Sequence, residues 1–553
     1  MITFDAAHRA VHYPPDRRFR IWIRPSLLLV IGGAGLILIA AAWVQFAVVG
    51  LPFIPSPLAA VTDSSPHGFP GWLRLSHFLN FFFLLLLVRS GLSILMDHPR
   101  LYFNDHCTLG SEWIRFTPIQ VPRDRLWTAK DDARYLSPLV GTPGYRHTVG
   151  IARVWHFINV HGFILTGVFY IAMLFVSEHW RRLVPTSPEI FAQAWSNWVH
   201  YATFHWPLEP NGFYAYNALQ QLSYFVVVFG FGPLAIMTGI AMSPAVVNRF
   251  PWYAHAFGGR QSARSIHFLT MLSFLGFIVV HVTLVALTGF ARNMNHIVLG
   301  TDGLGPQGLI IGLTAIGLVV LSWVGAHYLS WFHSRLLQRA LKRITYPMQL
   351  LTLNRLAPQQ HYTLDDLSPR FWPNGKLPTS GEWRRLGENG FRDFRLKIGG
   401  LVENPVELSL ADIAQLGKTE QITMHHCIQG WSGIAQWGGI PMKAIIDLVH
   451  PKPEALTVVF YSFGEALYGG PYYDTQSLGN VLQAQCLLAT HMNGQPLSDV
   501  YGAPLRLRVE NQLGYKMVKW IEWIEFVESE KTLGKGEGGK NEDDEYFDLL
   551  PNI

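Results

Sequence analysis

Four histidines and one cysteine have the residue types and spacing for redox chemistry. Arg74-Leu-Ser-His77-Phe78, Arg153-Val-Trp-His156-Phe157 and Arg264-Ser-Ile-His267-Phe268 repeat one unit three times. In each unit the Arg precedes the His by one helical turn, so both side chains lie on one face. A haem asks for this combination: an axial imidazole, and a cation for its propionates. His281 follows His267 by fourteen residues, about 21 Å along a helix and close to four turns. Two bis-histidine haems stacked across a bilayer need that spacing, with the helix that carries His267 and His281 giving one ligand to each. His161 is a rival to His156; it lies about 140° around the helix and lacks the preceding Arg. His98, His200, His205, His255, His296 and His327 read as solvated or interfacial.

The cysteine is Cys427, in HHCIQGWSGIAQWGGIP (425–441). A lone cysteine is more often a packing residue. Two flanking histidines and the Gly-Trp-Ser and Gly-Gly-Ile-Pro turns around it favour a ligand. A thiolate is a soft metal ligand, and a single one leaves the other metal positions open for chemistry. Gln429, two residues on, is placed to face such an open position, where it can act neither as general acid nor as general base. Cys107 sits in a loop and Cys486 in the apolar run LQAQCLLA, which reads as core. Three cysteines make neither a disulfide framework nor a four-thiolate cluster.

The elements that position these residues follow from composition. The chain has 553 residues, 49% hydrophobic and only 15% charged, with mean hydropathy +0.19. That is too long for one domain and too apolar for a purely soluble protein. Six apolar runs, near 26–49, 72–96, 154–176, 219–242, 266–290 and 308–330, are long enough to span a bilayer. Lys and Arg number 21 on one side of this pattern and four (Arg74, Arg181, Arg182, Arg292) on the other. The positive-inside rule then puts both termini in the cytoplasm. Arg17-Arg18 reads as part of that cytoplasmic anchor. With this orientation His156 pairs with His267 near the cytoplasm, and His77 with His281 toward the outside.

Beyond residue 355 the pattern changes to short strands, 394–400, 456–462 and 520–526, and short helices, 408–416 and 441–449. This reads as an α+β domain. The expected organisation is a six-span helical membrane domain with a four-helix core (1–345), an α+β domain (346–530) and a polar tail without a fold of its own (531–553).

SPRFWPNG (368–375), FRLKIGGLVENPVELSLADI (394–413), the Cys427 segment and GAPLRLRVENQLGYKMVKWIEWIEF (502–526) stand in an order that resembles the molybdopterin-binding core of the sulfite oxidase superfamily. The resemblance implies that Cys427 ligates molybdenum while the pterin dithiolene supplies two more sulfurs. It puts Asn374 and His426 in the cofactor pocket. It makes Arg506, Arg508, Lys516 and Lys519 candidates for the anionic cofactor, with at least one of them facing solvent instead. Sulfite-oxidising members carry arginines close behind the cysteine. Here Ile428, Gln429, Gly430 and Trp431 follow, so the segment is more similar to the branch that includes the methionine-sulfoxide reductase catalytic subunit.

The histidine pattern of spans 2 to 5 resembles the di-haem cytochrome b subunits of nickel-iron hydrogenases, formate dehydrogenases and thiosulfate reductases. Arg74, Arg153 and Arg264 would then face propionates, and spans 1 and 6 are additions to the family's core. Together these resemblances imply a molybdoenzyme in a bacterial inner membrane, with its molybdopterin domain in the cytoplasm, two b-type haems, and lipid and quinone or quinol as partners. The substrate would be a small oxo-compound such as a sulfoxide or N-oxide. No nucleic-acid partner is expected. The rival readings are a di-haem carrier that serves a separate enzyme, and a six-span transporter with incidental histidines.

Overall fold

The computed structural model describes residues 20–54, 68–117, 126–144, 149–205, 212–351, 361–545 and 552–553. Arg9, Arg17, Arg18, Arg123, Arg125, Arg146 and Arg355, which enter the charge asymmetry, lie outside them.

Six helices are long and apolar enough to cross a membrane: α1 (Pro25–Val49), α2 (Gly71–Asp97), α3 (Val149–Val176), α4 (Ala218–Ala241), α5 (Arg260–Leu287) and α6 (Gln307–Phe332). Helices α3 and α5 begin several residues before their apolar runs. At α5 hydropathy misses the first turns because they are polar, yet Arg260, Gln261, Ser262 and Arg264 are buried. The π-helical turn Val226–Phe231 inside α4 precedes Pro233, which has no N–H to continue the ladder. Helix α2 packs along α3, and α5 along the second half of α4. Helix α1 buries only Ala42, so it stands outside this four-helix core.

Sequence reasoning passed over Arg89, in the body of α2. Its guanidinium donates to Thr142 Oγ1 at 2.8 Å, to the carbonyl oxygens of Pro138 at 2.6 Å and Gly141 at 3.1 Å, and to that of Leu139. A charge at this depth is tolerated because the 137–142 loop satisfies it.

The C-terminal domain is β-rich and built on two sheets. One has the order β8 (Gln495–Pro496), β7 (Cys486–Met492), β4 (Ser432–Pro441), β3 (Thr419–His426), with β9 (Arg506–Val509) also paired to β7. The other has the order β2 (Val406–Leu408), β1 (Leu396–Gly400), β10 (Ile521–Val527), β5 (Thr457–Glu465), β6 (Pro471–Ser477). The three strands and two helices read from the sequence appear here as β1, β5 and β10, and as Leu410–Gln415 and Met442–Val449. A capping box starts the first of these helices, with Ser409 and Asp412 each accepting the other's backbone N–H.

The two domains share one hydrophobic core. Tyr102, Cys107, Trp127 and Ala129, all from the segment between α2 and α3, are buried with Trp372, Trp431, Trp437 and the strand residues of the C-terminal domain. The polar tail also departs from expectation. Lys540–Glu545 is helical, and Glu542, Asp543 and Glu545 are buried. The reason is charge pairing: Glu542 and Asp474 both bond Lys516, and Glu545 bonds Lys130 at 2.8 Å.

Candidate functional site

The four spans bring the histidines together in two pairs. The His156 and His267 rings lie 6.4 Å apart between centroids, and so do those of His77 and His281. A metal between two imidazoles needs a bond of about 2.0 Å on each side plus roughly 1.1 Å from nitrogen to ring centre, or about 6 Å in all. Both pairs fit that gap.

The inner pair is also held in the right tautomer. Ser90 Oγ lies 3.2 Å from His156 Nδ1, and Thr238 Oγ1 lies 3.0 Å from His267 Nδ1. Each hydroxyl donates to a carbonyl of its own helix, Ser90 to Leu86 at 2.8 Å and Thr238 to Leu234 at 2.7 Å. Each therefore accepts from the imidazole, which leaves Nε2 bare to bind metal. In the outer pair His281 stacks on Phe277, centroids 5.5 Å apart and 8° between planes. Among the described residues His161 is not paired with another histidine; its Nδ1 faces the Phe157 carbonyl at 2.6 Å. Ser90 and Thr238 escaped sequence reasoning because serine and threonine are ordinary in apolar helices.

Of the three arginines, Arg74 donates to the Val298 carbonyl at 2.7 Å, and its Nε is buried without a partner. Arg153 lies over the Phe157 ring at 5.7 Å. Arg264 departs from its expected role. It donates to the carbonyls of His98 at 2.8 Å and Arg100 at 3.0 Å. Those contacts aim it at the domain junction rather than at a propionate. His98 and His296, read as solvated or interfacial, are buried. The first lies edge-on to Trp372, and the second pairs with Asp302 at 2.7 Å.

Cys427 opens the turn of the β3–β4 hairpin, whose last paired residues are His426 and Ser432. The Cys427 N–H donates to the Trp431 carbonyl at 3.1 Å, and the Gly430 N–H to the Cys427 carbonyl at 3.0 Å. Gly430 has φ +107°, which favours glycine. Cys427 is 3% exposed. Asn374 Nδ2 and Gln429 Oε1 lie 3.9 and 3.8 Å from its Sγ. Burial pushes the thiol up to about 12, with Asp97 adding to the rise and Arg260 and Lys130 opposing it. A thiol this hard to ionise becomes a thiolate once a metal takes the proton's place. Among the described residues no three His, Cys, Asp or Glu side chains converge on a metal position. A metal at Cys427 would take its other ligands from a cofactor.

The basic residues divide into two groups. Arg508 makes a two-pronged bond to Glu510, both arms 2.8 Å, and Lys516 is neutralised by Asp474 and Glu542. Both are buried ion pairs inside the fold, so the expected cofactor role does not fit them. With Arg506 also buried and Lys519 half-buried, none of the four basic residues is exposed, which corrects the expectation that at least one would face solvent. Arg506 and Lys519 are neighbours across an isolated bridge and have no carboxylate partner among the described residues. Arg506 lies 4.6 Å over the Trp437 ring, donates to the Tyr501 carbonyl at 3.0 Å, and has a buried Nε with no partner. Lys519 donates to the Val500 carbonyl at 2.9 Å and to that of Asn374. Burial depresses both basic groups, and the repulsion each feels from a neighbouring arginine deepens it. Two such cations call for an anion.

The residues therefore fit an anionic, polar cofactor beside Cys427. Trp431 and Trp437 add buried, unpartnered indole N–H groups, and Arg370 an unpartnered Nε. Arg370 was overlooked although it stands inside SPRFWPNG. His426 Nε2 contacts Asn248 Oδ1 at 3.0 Å, and its Nδ1 is unpartnered. Burial, then Arg260 and Arg508, keeps that ring neutral.

The membrane domain meets this site directly. Arg260 Nη1 and Gln261 Nε2 each donate to the Gly430 carbonyl at 2.9 Å, and Gln261 also to Ser432 Oγ at 3.0 Å. Gln429 Nε2 donates to the Asp97 carbonyl at 3.3 Å.

Comparison with known proteins agrees with this division. Residues 68–298 match the family model for prokaryotic cytochrome b561, and residues 386–533 that for the oxidoreductase molybdopterin binding domain. YedZ1 of Azospira oryzae, provisionally named a protein-methionine-sulfoxide reductase subunit, is 34% identical over 128 residues, 23% of this chain and 47% of that one. The protein-methionine-sulfoxide reductase catalytic subunit MsrP of Xanthomonas axonopodis pv. citri is 32% identical over 138 residues, 23% of this chain and 43% of the relative. MsrP of Campylobacter jejuni is 27% identical over 173 residues, 29% and 58%. The chain thus spans about half the length of these curated relatives. It joins a cytochrome b561-type membrane domain to a molybdopterin-binding domain of sulfite-oxidase type in one polypeptide.

Proposed function

We propose that the chain is a membrane-bound, molybdopterin-dependent reductase of a small oxo-compound, a sulfoxide or N-oxide, driven by quinol through two b-type haems. The observation that carries this reading is the placement of Cys427: a buried cysteine beside Asn374, whose carbonyl takes the Lys519 ammonium, on a turn bonded to the helix that bears His267 and His281. Sulfoxide reduction consumes two electrons and two protons and releases a sulfide and water. A quinol supplies both electrons and both protons, and two haems hold one electron each.

Bound molybdenum–molybdopterin would supply the oxygen-atom transfer. Cys427 would hold the metal as a thiolate, with Asn374 beside its sulfur. Arg506 and Lys519 would hold the cofactor's anionic end, and Trp431, Trp437 and Arg370 would donate to its polar atoms. His156 with His267, and His77 with His281, would hold the haems.

The test is elemental analysis of the purified protein with a visible spectrum taken as a sulfoxide is added to the reduced form. Molybdenum, two haems per chain and reoxidation of the haem bands are expected. Haem without molybdenum would instead identify a carrier that serves a separate enzyme.

The orientation we propose, with both termini and the molybdopterin domain in the cytoplasm, rests on the Lys/Arg asymmetry of the loops. A reporter active only in the cytoplasm, fused after Ile553, should be active. Activity of an export-dependent reporter there would reverse the orientation.

A further inference from the structure

We propose that the first turn of α5, through Arg260 and Gln261, is the electron contact between the inner histidine pair and the Cys427 turn. This rests on the function proposed above and names the route inside it. The first observation is continuity. Cys427 is joined to Gly430 by a backbone hydrogen bond of 3.0 Å, and the Gly430 carbonyl takes two bonds of 2.9 Å from Arg260 and Gln261. From there α5 runs unbroken to His267, two turns on, which faces His156. One hydrogen-bonded step crosses between the domains, and all the rest is covalent backbone or helix.

The second observation is closeness of packing. A Cβ at Gly430 would stand 3.4 Å from the Arg264 guanidinium, so the turn lies flat against α5. Gln261 is fully buried, while Arg260 and Arg264 are 7% and 8% exposed. Water is therefore kept from the junction, and the charges in it face fixed dipoles rather than a relaxing solvent. The third observation is selectivity. His281 is fourteen residues further along the same helix, about 21 Å deeper. The inner pair is the nearer of the two to the turn along α5, so electrons from the outer pair would pass through the inner one. Two one-electron transfers across this contact deliver the two electrons that a sulfoxide consumes with two protons.

The same contacts would serve a passive clamp, and the experiment separates the two roles. The full-length protein is compared with Arg260→Met and Gln261→Leu in detergent. One measurement follows reoxidation of dithionite-reduced haem after mixing with dimethyl sulfoxide or methionine sulfoxide. The other follows turnover with reduced viologen, which delivers electrons to molybdenum without the haems. Molybdenum content and the haem spectrum report on folding. We expect haem reoxidation to fall by about tenfold more than viologen turnover does, since a misplaced electron contact costs only the step that uses it. Unchanged haem reoxidation overturns the proposal. So does an equal fall in both rates, which would show a clamp and nothing more. If the parent haems are not reoxidised by either sulfoxide while viologen turnover persists, the quinol-driven reading itself falls, and this contact with it.

Discussion

Replacing Cys427 by Ser should abolish sulfoxide turnover and alter the molybdenum electron paramagnetic resonance signal, while both haems remain. An alkoxide is a harder ligand than a thiolate and shifts the metal's potential. The loss should exceed the roughly 10–100-fold that removing a metal site's outer partner costs. The fold should survive, because the side chain is small and its turn is held by backbone bonds and by Arg260 and Gln261. Cys486→Ser is the control. Cys486 is buried at the start of β7, opposite Val509 of β9, and burial raises its thiol far above the usual range. It should cost some stability and leave the signal and most of the activity in place. Parental turnover with an unaltered signal in Cys427→Ser would remove the molybdoenzyme reading.

His267→Ala and His281→Ala should each remove one haem, and about half of the haem absorbance with it. Their functional effects should differ. Without the inner haem, quinol-driven turnover falls to background while viologen-driven turnover persists, because molybdenum keeps Cys427 and its cofactor. Without the outer haem, the spectrum loses the component most exposed to the far side of the membrane. Thr238→Val is a milder companion. It removes the hydroxyl that fixes the His267 tautomer, so the haem should remain with a shifted potential. If His267→Ala and His281→Ala both retain two haems per chain with unchanged low-spin spectra, the ligand assignment is wrong.

The sequence was most legible where a physical period repeats. The six apolar runs lie within a few residues of the six helices. The one-turn Arg–His spacing and the fourteen-residue gap on α5 put His77 beside His281 and His156 beside His267. What stayed hidden was set by partners far along the chain. Lys516 and Arg508 look the same in sequence as Lys519 and Arg506. Only Asp474, Glu542 and Glu510 separate the two kinds, and only folding brings the first two of these close. The acidic tail reads as solvent-loving until Lys516 and Lys130 neutralise it. The polar first turn of α5 reads as the end of a loop, yet it is the seam between the domains.

With Tyr102, Cys107, Trp127 and Ala129 buried among the strands of the C-terminal domain, the two redox partners meet once, when the chain folds, and not by diffusion. The proposed transfer between them would be unimolecular. It has no encounter step to be steered by surface charge and none to be screened by salt. The tether holds one partner at a permanently saturating local concentration for the other. Dilution of the membrane, or competition from other electron carriers, therefore leaves the internal hop unchanged. On the proposed function, the quinol and the oxo-substrate would be the reactants whose abundance is left to govern flux.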